Sequence, residues 1–444
     1  MRRRTGNIPC RGVCALLVSG WWWWRNDRVW RSDTPSATDT LIPSRPMAWH
    51  GPSSRSRQQS QRSTSDSLAA CLLIKDDNDI LDEWIAYHYH VWNLRHLLVA
   101  VDPSSRTSPR ATLTRWTEVT DLDVRVWDDV DYLPESFRTL GYHIPPRYVS
   151  GDAQRSQWHV GHESAAQVVA DRTRINNHRY RQVTLLTHCY RHWRERNATW
   201  VLHVDTDEYL TLNPIRRRPH TTAGSPVVPV KLVQPGCLFR FWNALLRDNV
   251  QARAANAHHS CVSMPRLLFG AMETNRSVVT TTTTAGTAAA NPQRFETLRW
   301  RYHAAYNDTV YNAQPKTLVD VSRVPAPDEL WQQAFSIHRP SKVLCRRIEQ
   351  LNLRTPNRYP LAVFHYLGTW ERYVARNDTR RSRRVYDAKA AAGAGGRPED
   401  SMEDWFDGWV HDVGIETARY LLRDYFRYPG NSVTNASRYY DTLA

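Results

Sequence analysis

Apolar and polar positions change period twice between Leu68 and Val101, and each change marks an element. Leu68-Ala69-Ala70-Cys71-Leu72-Leu73-Ile74 is an unbroken apolar run of strand length, the pattern of a strand buried on both faces. Ile80, Leu81, Trp84, Ile85, Tyr87, His88 and Val91 then recur at helical spacing, with Asn78 or Asp79 as cap, and predict a helix to about Trp92. From Arg95 to Val101 the chain is strand-like again, and it stops at Asp102-Pro103-Ser104-Ser105. Strand, helix and strand in immediate succession form a βαβ unit, whose crossover is right-handed.

The same reading carries on with less contrast. Val124–Trp127 reads as a third strand, Asp128 to Gly161 as loop with Pro134, Pro145 and Pro146, and Asn177 to Arg196 as a helix. Trp200 to Leu210 begins as a buried strand, and further strands are expected near Val227–Val233, Glu296–Tyr302 and Thr317–Val321. Val279 to Ala290 is Thr- and Ala-rich and reads as an exposed insertion, while Met402 to Tyr428 reads as one or two amphipathic helices. The fold class is α/β, with a parallel N-terminal half and a more mixed C-terminal half.

Ahead of this pattern, residues 30–66 are rich in Ser, Arg, Pro and Gln with almost no apolar period and read as a linker or stem. Residues 1–29 carry a basic flank, the apolar run from Val13 and the cluster Trp21 to Trp24, the composition of a signal or signal-anchor. Val13 to Trp24 is twelve residues, short of the roughly 20 that span a membrane as a helix. An anchor, a cleaved signal and a mis-started leader remain the three readings. The domain expectation is therefore 1–29 as signal-anchor, 30–66 as linker, 67–380 as the globular domain and 381–444 as a helical extension.

The formal charge of +15 invites a nucleic-acid reading, but its distribution argues otherwise. Residues 1–66 hold eleven Arg against four Asp, a net +7, and the other +8 is spread over 378 residues rich in acids. No basic run interleaved with aromatics forms a groove-like stripe, so nucleic acid is not an expected partner. The seven Cys show no zinc spacing, and one or two disulfides of uninferable connectivity are expected. Sequons at Asn197, Asn275, Asn307, Asn377 and Asn435 mildly favour a secretory lumen.

The chemistry concentrates in Trp200-Val201-Leu202-His203-Val204-Asp205-Thr206-Asp207-Glu208-Tyr209-Leu210, where an apolar strand ends in three carboxylates. Negative charge gathered at a sheet edge is costly without a partner, and the natural partner is a divalent cation shared with phosphate. Oxygen ligands suit Mn²⁺ or Mg²⁺, and no thiolate or His-rich set argues for zinc. The alternative is a solvated turn at the end of a strand.

Three separated blocks resemble glycosyltransferase family 92, the former domain of unknown function 23, and its family 2-like relatives. They are Leu72 to Asp79 with Leu81-Asp82-Glu83-Trp84-Ile85-Ala86-Tyr87-His88, then Arg181-Gln182 with Trp200 to Leu210, and last Phe335 to Pro340 with Val363-Phe364-His365-Tyr366. Met264 to Gly270 aligns more loosely between them, and the Thr-rich insertion departs from the pattern. The resemblance implies a GT-A-type, Rossmann-like mixed sheet flanked by helices, with a C-terminal helical extension. It implies transfer of a sugar, galactose in many relatives, from a nucleotide-sugar donor, with a UDP-sugar favoured, to a glycan acceptor. It also implies a single-pass type II protein of the Golgi or endoplasmic reticulum membrane.

The resemblance also implies roles at the matching positions. Asp207 is expected to ligate the metal, Asp205 to ligate it or to meet the ribose or a metal-bound water, and His365 or His338 to supply a further ligand. Glu208 is expected behind them. Asp76, Asp77 and Asp102 sit at strand ends where a nucleotide would lie, or else form turns and favour a helix start. Arg181 faces the diphosphate or makes a surface ion pair. Glu83 and Trp84 are expected to pack and cap against the sheet. Glu273 and Glu296 are candidates for the carboxylate that takes the acceptor's proton. Two other classes remain in view: a non-catalytic glycan- or polyanion-binding protein on this scaffold, and a haloacid-dehalogenase-type phosphatase. Tyr209 departs from the motif of the latter.

Overall fold

The computed structural model describes residues 67–140, 165–217, 231–248, 260–270, 294–312, 314–324, 359–375, 382–395 and 404–426, with positions 338, 345, 353, 354 and 402. All of them lie within the compact unit Ser60–Ala444. The apolar run Leu68–Ile74 is β1, Asn78–Val91 is α1 and Leu94–Val101 is β2, and β1 and β2 pair in parallel. Helix α2 (Arg110–Val119) leads to β3 (Asp123–Trp127), parallel to β2. The segment expected as loop contains two short helices, α3 (Asp129–Tyr132) and α4 (Glu135–Leu140). Helix α5 (Ala165–Glu195) begins earlier than its periodicity suggests.

Strand β4 (Trp200–His203) then returns to pair in parallel with β1 on the side away from β2. The order β3-β2-β1-β4-β8-β6 is completed by β6 (Cys261–Met264) and β8 (Lys316–Asp320), and β8 runs antiparallel to both of its neighbours. A second sheet has the order β5-β9-β7, with β5 Glu208–Leu212, β9 Leu361–Tyr366 and β7 Arg266–Phe269. The architecture is thus the expected mixed α/β sheet flanked by helices.

Strand alternation divides the core into two. Leu68, Ala70, Leu72, Ile74, Leu97, Val99 and Leu202 face one cluster with α1 and the C-terminal helices, while Ala69, Cys71, Leu98, Ala100 and Val201 face the other with α5. Disulfides join Cys71 of β1 to Cys189 of α5, and Cys261 of β6 to Cys345. Both pairings lie in this second cluster, whose connectivity spacing alone could not give.

Helices α6 (Pro214–Arg217) and α7 (Cys237–Asp248) follow, and the expectation of a strand over Glu296–Tyr302 is corrected: Glu296–Arg299 forms a single helical turn, α8. The reason is Glu83 of α1. Its buried carboxylate accepts from the backbone N–H of Glu296 at 2.7 Å, and from the N–H and hydroxyl of Thr297 at 2.9 and 2.7 Å. Acceptors supplied at the first N–H groups stabilise a helical start over an extended one, although burial first and then Glu296 push the Glu83 carboxyl up to about 8. Of the strand expected over Val227–Val233, Leu232 and Val233 lie in a turn, and 227–230 fall outside the described residues.

The C-terminal part belongs to the core. After α9 (Trp370–Ala375) and α10 (Arg383–Gly393), helices α11 (Asp404–Val413) and α12 (Ile415–Leu421) follow. Trp405 and Trp409 of α11 are fully buried against the α1 side of the sheet, and the Trp405 indole donates to Thr297 Oγ1. Burying side chains of this size contributes about 1.5–3 kcal/mol each.

Among the described residues no helix is long and apolar enough to cross a membrane. The expectation of a single-pass type II protein in the Golgi or endoplasmic reticulum membrane is therefore withdrawn. The segments 1–29 and 30–66, on which the signal-anchor and linker readings fall, lie outside the described residues, as does the insertion 279–290.

Gly408 gives the packing of α11 a sharp test. A Cβ built there would stand 2.2 Å from the carbonyl oxygen of Val233 and 2.5 Å from its Cα. An exposed helical Gly→Ala change gains up to roughly 1 kcal/mol. Gly408→Ala is expected to do the opposite and destabilise the protein by about 1–3 kcal/mol through backbone displacement, read as a lower urea midpoint.

Candidate active site

Strands β1, β2 and β4 are parallel, so Ile74, Val101 and His203 end on one edge of the sheet. The chain leaves β1 for β2 on one side and reaches β4 on the other, which makes the β1/β4 boundary a topological switch point. Ligands of open α/β sheets bind at that place. The acidic turns after the three strands therefore converge, and Thr206 donates to Asp77 Oδ2 at 2.8 Å, tying the turn after β1 to the turn after β4.

Asp76 has a left-handed backbone (φ 54°), a conformation that Asp tolerates better than most residues. Its side chain is committed to the loop after β2. Oδ1 accepts from the N–H of Arg106 and from the N–H and hydroxyl of Thr107, and Oδ2 accepts from Arg106 Nε at 3.1 Å. Burial pushes the Asp76 carboxyl up, and these bonds outweigh it and hold it below its ordinary value. Asp102 is buried and accepts from both the N–H and the hydroxyl of Ser104, with the His178 ring 3.8 Å away. Those partners overcome the upward effect of burial, and Asp102 stays ionised. Arg181 forms a two-pronged pair with Asp129 (2.9 and 3.1 Å) and lies close enough to Asp102 to favour its charge. Asp76 and Asp102 thus brace the rim, and Arg181 is held on Asp129.

The Asp205–Glu208 turn is closed from both sides: Glu208 N–H donates to Asp205 O at 3.0 Å, and Asp205 N–H donates to Glu208 Oε2 at 2.9 Å. Glu208 is not the last carboxylate of a strand end; it opens β5 and is fully buried. Helix α1 holds β5 in place through side chains. Trp84 Nε1 donates to Glu208 O, Tyr87 Oη and Trp92 Nε1 donate to Leu210 O, and His88 Nε2 accepts from Leu210 N–H. Burial pushes the His88 imidazole down to about 3, which suits this acceptor role.

Registers bring the remaining charges in. In the β4–β8 pair His203 lies opposite Thr317, which sets Lys316 beside the turn that begins at Asp205. Lys316 has no exposed surface, and its Nζ stands 2.8 Å from both Asp205 Oδ2 and Glu208 Oε2. Burial disfavours the ammonium, but the two carboxylates outweigh that and raise its pKa, so the lysine stays charged. Arg266 approaches the other oxygen of Glu208 at 3.4 Å. His338 Nδ1 lies 2.9 Å from Pro315 O, and burial, with Lys316 nearby, pushes its ring down to about 4.

In the β5–β9 pair His365 lies opposite Glu208, and Tyr366 N–H donates to Asp207 O. His365 Nε2 thereby stands 3.8 Å from Asp207 Oδ2. Burial first, and then Arg266, push the His365 imidazole down to about 4, against the pull of Asp207. A neutral imidazole is the form a metal binds. Two donors of one cation, each bonded at about 2.1 Å, lie no more than about 4.2 Å apart, so this pair can share one. His365 Nδ1 is buried with no hydrogen-bond partner among the described residues. Among those residues no group of three or more His, Cys, Asp or Glu side chains is gathered as a cation site, so a cation here would draw its other ligands from phosphate and water.

Glu296 is drawn into a structural network. Its Oε2 accepts from Trp300 Nε1 at 2.9 Å, and its Oε1 pairs with Arg372 Nη1 at 2.8 Å. With both oxygens engaged and the group buried, Glu296 anchors Arg372 instead of standing ready as a base. Glu273 lies outside the described residues. Arg372 itself is nearly buried, lies 3.9 Å from Asp79, and is near enough to Asp207 and Asp77 for both to favour its charge.

Sequence reasoning missed Lys316, Arg266 and Arg372. A signal existed for the first: the chain has only five Lys against 54 Arg, and one of the five opens the expected strand Thr317–Val321.

No family model matches the chain, and no curated protein matches it. Membership of family 92 is accordingly not shown. Among solved structures, the crystal structure of S. aureus TarS is similar at 11% identity, over 58% of this chain and 28% of that chain, with a TM-score of 0.22. The chain thus matches less than a third of the length of that structure, and the likeness is too low to carry an argument.

The tie between the acidic turns is testable. Thr206→Val removes the donor to a buried carboxylate, and a hydrogen bond to a charged group is worth about 1.5–3 kcal/mol. The variant is expected to lose stability of that size in chemical denaturation while keeping the wild-type circular dichroism spectrum.

Proposed function

We propose that the chain is a metal-dependent glycosyltransferase that moves a sugar from a nucleotide-sugar donor, a UDP-sugar by preference, to a glycan acceptor. The observation that carries this reading is the meeting of Asp207 with a neutral His365 at the switch point, with the nearly buried cation Arg372 close to Asp207. Carboxylates that crowd a sheet edge repel phosphate on their own. A site holding both ligands for a cation and fixed positive charge suits a diphosphate.

Asp207 and His365 would hold the cation, Mn²⁺ or Mg²⁺ by ligand type. When bound, it would neutralise the negative charge that builds on the departing nucleoside diphosphate. The protein's own residues do the rest. Asp77 and Thr206 keep the two turns in register. Lys316 and Arg266 hold Glu208, and with it the start of β5, so that Asp207 is presented from a rigid support. Arg372, braced by Glu296, places a permanent positive charge on the side of the site facing Asp207 and Asp77.

A donor-hydrolysis screen of UDP- and GDP-sugars with Mn²⁺ tests the proposal. Release of one nucleotide is expected, dependent on the metal and lowered about 10²–10³-fold in Asp207→Ala. Absence of release from every donor, together with absence of nucleotide binding, would favour a non-catalytic glycan- or polyanion-binding protein.

A further inference from the structure

Two of the Asn-x-Thr sequons stand on turns among the described residues, and the fold treats them alike. Asn197 follows α5 in a left-handed conformation (φ 59°), and the N–H groups of Asn197 and Ala198 donate to Arg194 O and Trp193 O at 2.9 Å, which closes the helix. Ala198 enters the core, Asn197 is exposed and Thr199 is half-buried. Asn307 lies in a turn where Asp308 N–H donates to Ala305 O at 2.8 Å. Asp308 Oδ1 accepts from the N–H groups of Val310 and Tyr311, both at 2.9 Å, with Asn307 and Thr309 exposed on either side. In each sequon the middle residue is held by the fold and the asparagine reaches solvent. The cysteines add an independent observation. Cys71, Cys189 and Cys345 have no exposed surface, Cys261 is nearly as buried, and the four are joined in two disulfides. Such bonds belong to chains that fold under oxidising conditions, the conditions under which asparagine-linked glycans are attached.

We infer that Asn197 and Asn307 are modification sites, each carrying an N-linked oligosaccharide that a separate enzyme delivers from a lipid diphosphate donor. The inference is independent of the activity proposed above for this chain. In the modifying step the asparagine Nδ2 attacks the anomeric carbon of the oligosaccharide. A C–N bond forms as the C–O bond to the diphosphate breaks, one amide proton passes to a base of the modifying enzyme, and the lipid diphosphate departs. The acceptor pattern needs a hydroxyl two residues after the asparagine, and Thr199 and Thr309 supply it. The product is bulky and must stay in solvent, which the exposure of both asparagines allows. Asn197 precedes β4 and the acidic turn follows it, so a glycan there sits at the end of the strand away from Asp205 and leaves the candidate site open. The sequons at Asn275, Asn377 and Asn435 lie outside the described residues.

The experiment takes the full-length protein from the cells that make it, digests it with peptide N-glycosidase in heavy-oxygen water and reads its peptides by mass spectrometry. Asn197 and Asn307 are expected as heavy-oxygen aspartate, and the intact protein is expected to lose mass on digestion. Thr199→Val and Thr309→Val, produced in the same cells, keep both asparagines and are each expected to lose one glycan. Alkylation of the denatured protein without reductant is expected to leave Cys71, Cys189, Cys261 and Cys345 unlabelled. Unmodified asparagine at both positions overturns the inference, and so does alkylation of those four cysteines. A glycan at one position alone upholds that site and overturns the other. Neither result bears on donor hydrolysis, so the proposed activity stands or falls separately.

Discussion

The buried ammonium of Lys316 is the interaction on which the site depends. It lies between two carboxylates that belong to different parts of the fold: Asp205 follows the last parallel strand of the main sheet, and Glu208 opens the second sheet. Burying any of these charges alone would cost several kcal/mol, and breaking such a pair leaves the other partner uncompensated. The cluster therefore acts as a clasp at the junction of the two sheets. It fixes the turn from Asp205 to Glu208, in which Asp207 is buried and Asp205 is half-exposed.

The surrounding structure repeats this logic of polar groups held by fixed partners. Trp84, Tyr87 and His88 of helix α1 and its C-cap Trp92 bond the backbone of β5, so the second sheet is aligned by side-chain hydrogen bonds as well as by its own ladder. Its Glu83 caps the turn at Glu296, and Glu296 in turn holds Arg372. Gly368 serves the same chain of contacts: it has a left-handed backbone (φ 72°), and an added Cβ would meet Arg372 Nη1 at 2.8 Å. Glycine is the residue that admits both the conformation and the close approach. The helix that begins the fold thus reaches both flanks of the proposed site, through β5 on one side and through Glu296 and Arg372 on the other.

The local pattern made the βαβ opening legible, because Leu68–Ile74 and Leu97–Val101 are continuous apolar runs and the helix between them has a clear period. The acidic motif at Asp205 and Asp207 was equally plain. What stayed hidden depends on partners distant in sequence. Glu296–Tyr302 has strand-like composition, but Glu83, more than two hundred residues earlier, caps it into a helical turn. Asp76 and Asp102 look like ligand contacts by position, yet Arg106, Thr107 and Ser104 use them to shape the rim. Lys316 gave a faint compositional signal, while its bond to Asp205 is set by a strand register that no local window contains. The pairing of Cys71 with Cys189 and of Cys261 with Cys345 has the same origin.

The account is tested most directly by a crystal structure of the protein with UDP and Mn²⁺, the metal located by its anomalous scattering. It predicts a single Mn²⁺ bonded to Asp207, His365 and diphosphate oxygens, with the Lys316 ammonium still within hydrogen-bond distance of Asp205. A Mn²⁺ bonded to Asp205, with Lys316 displaced from it, would contradict the account.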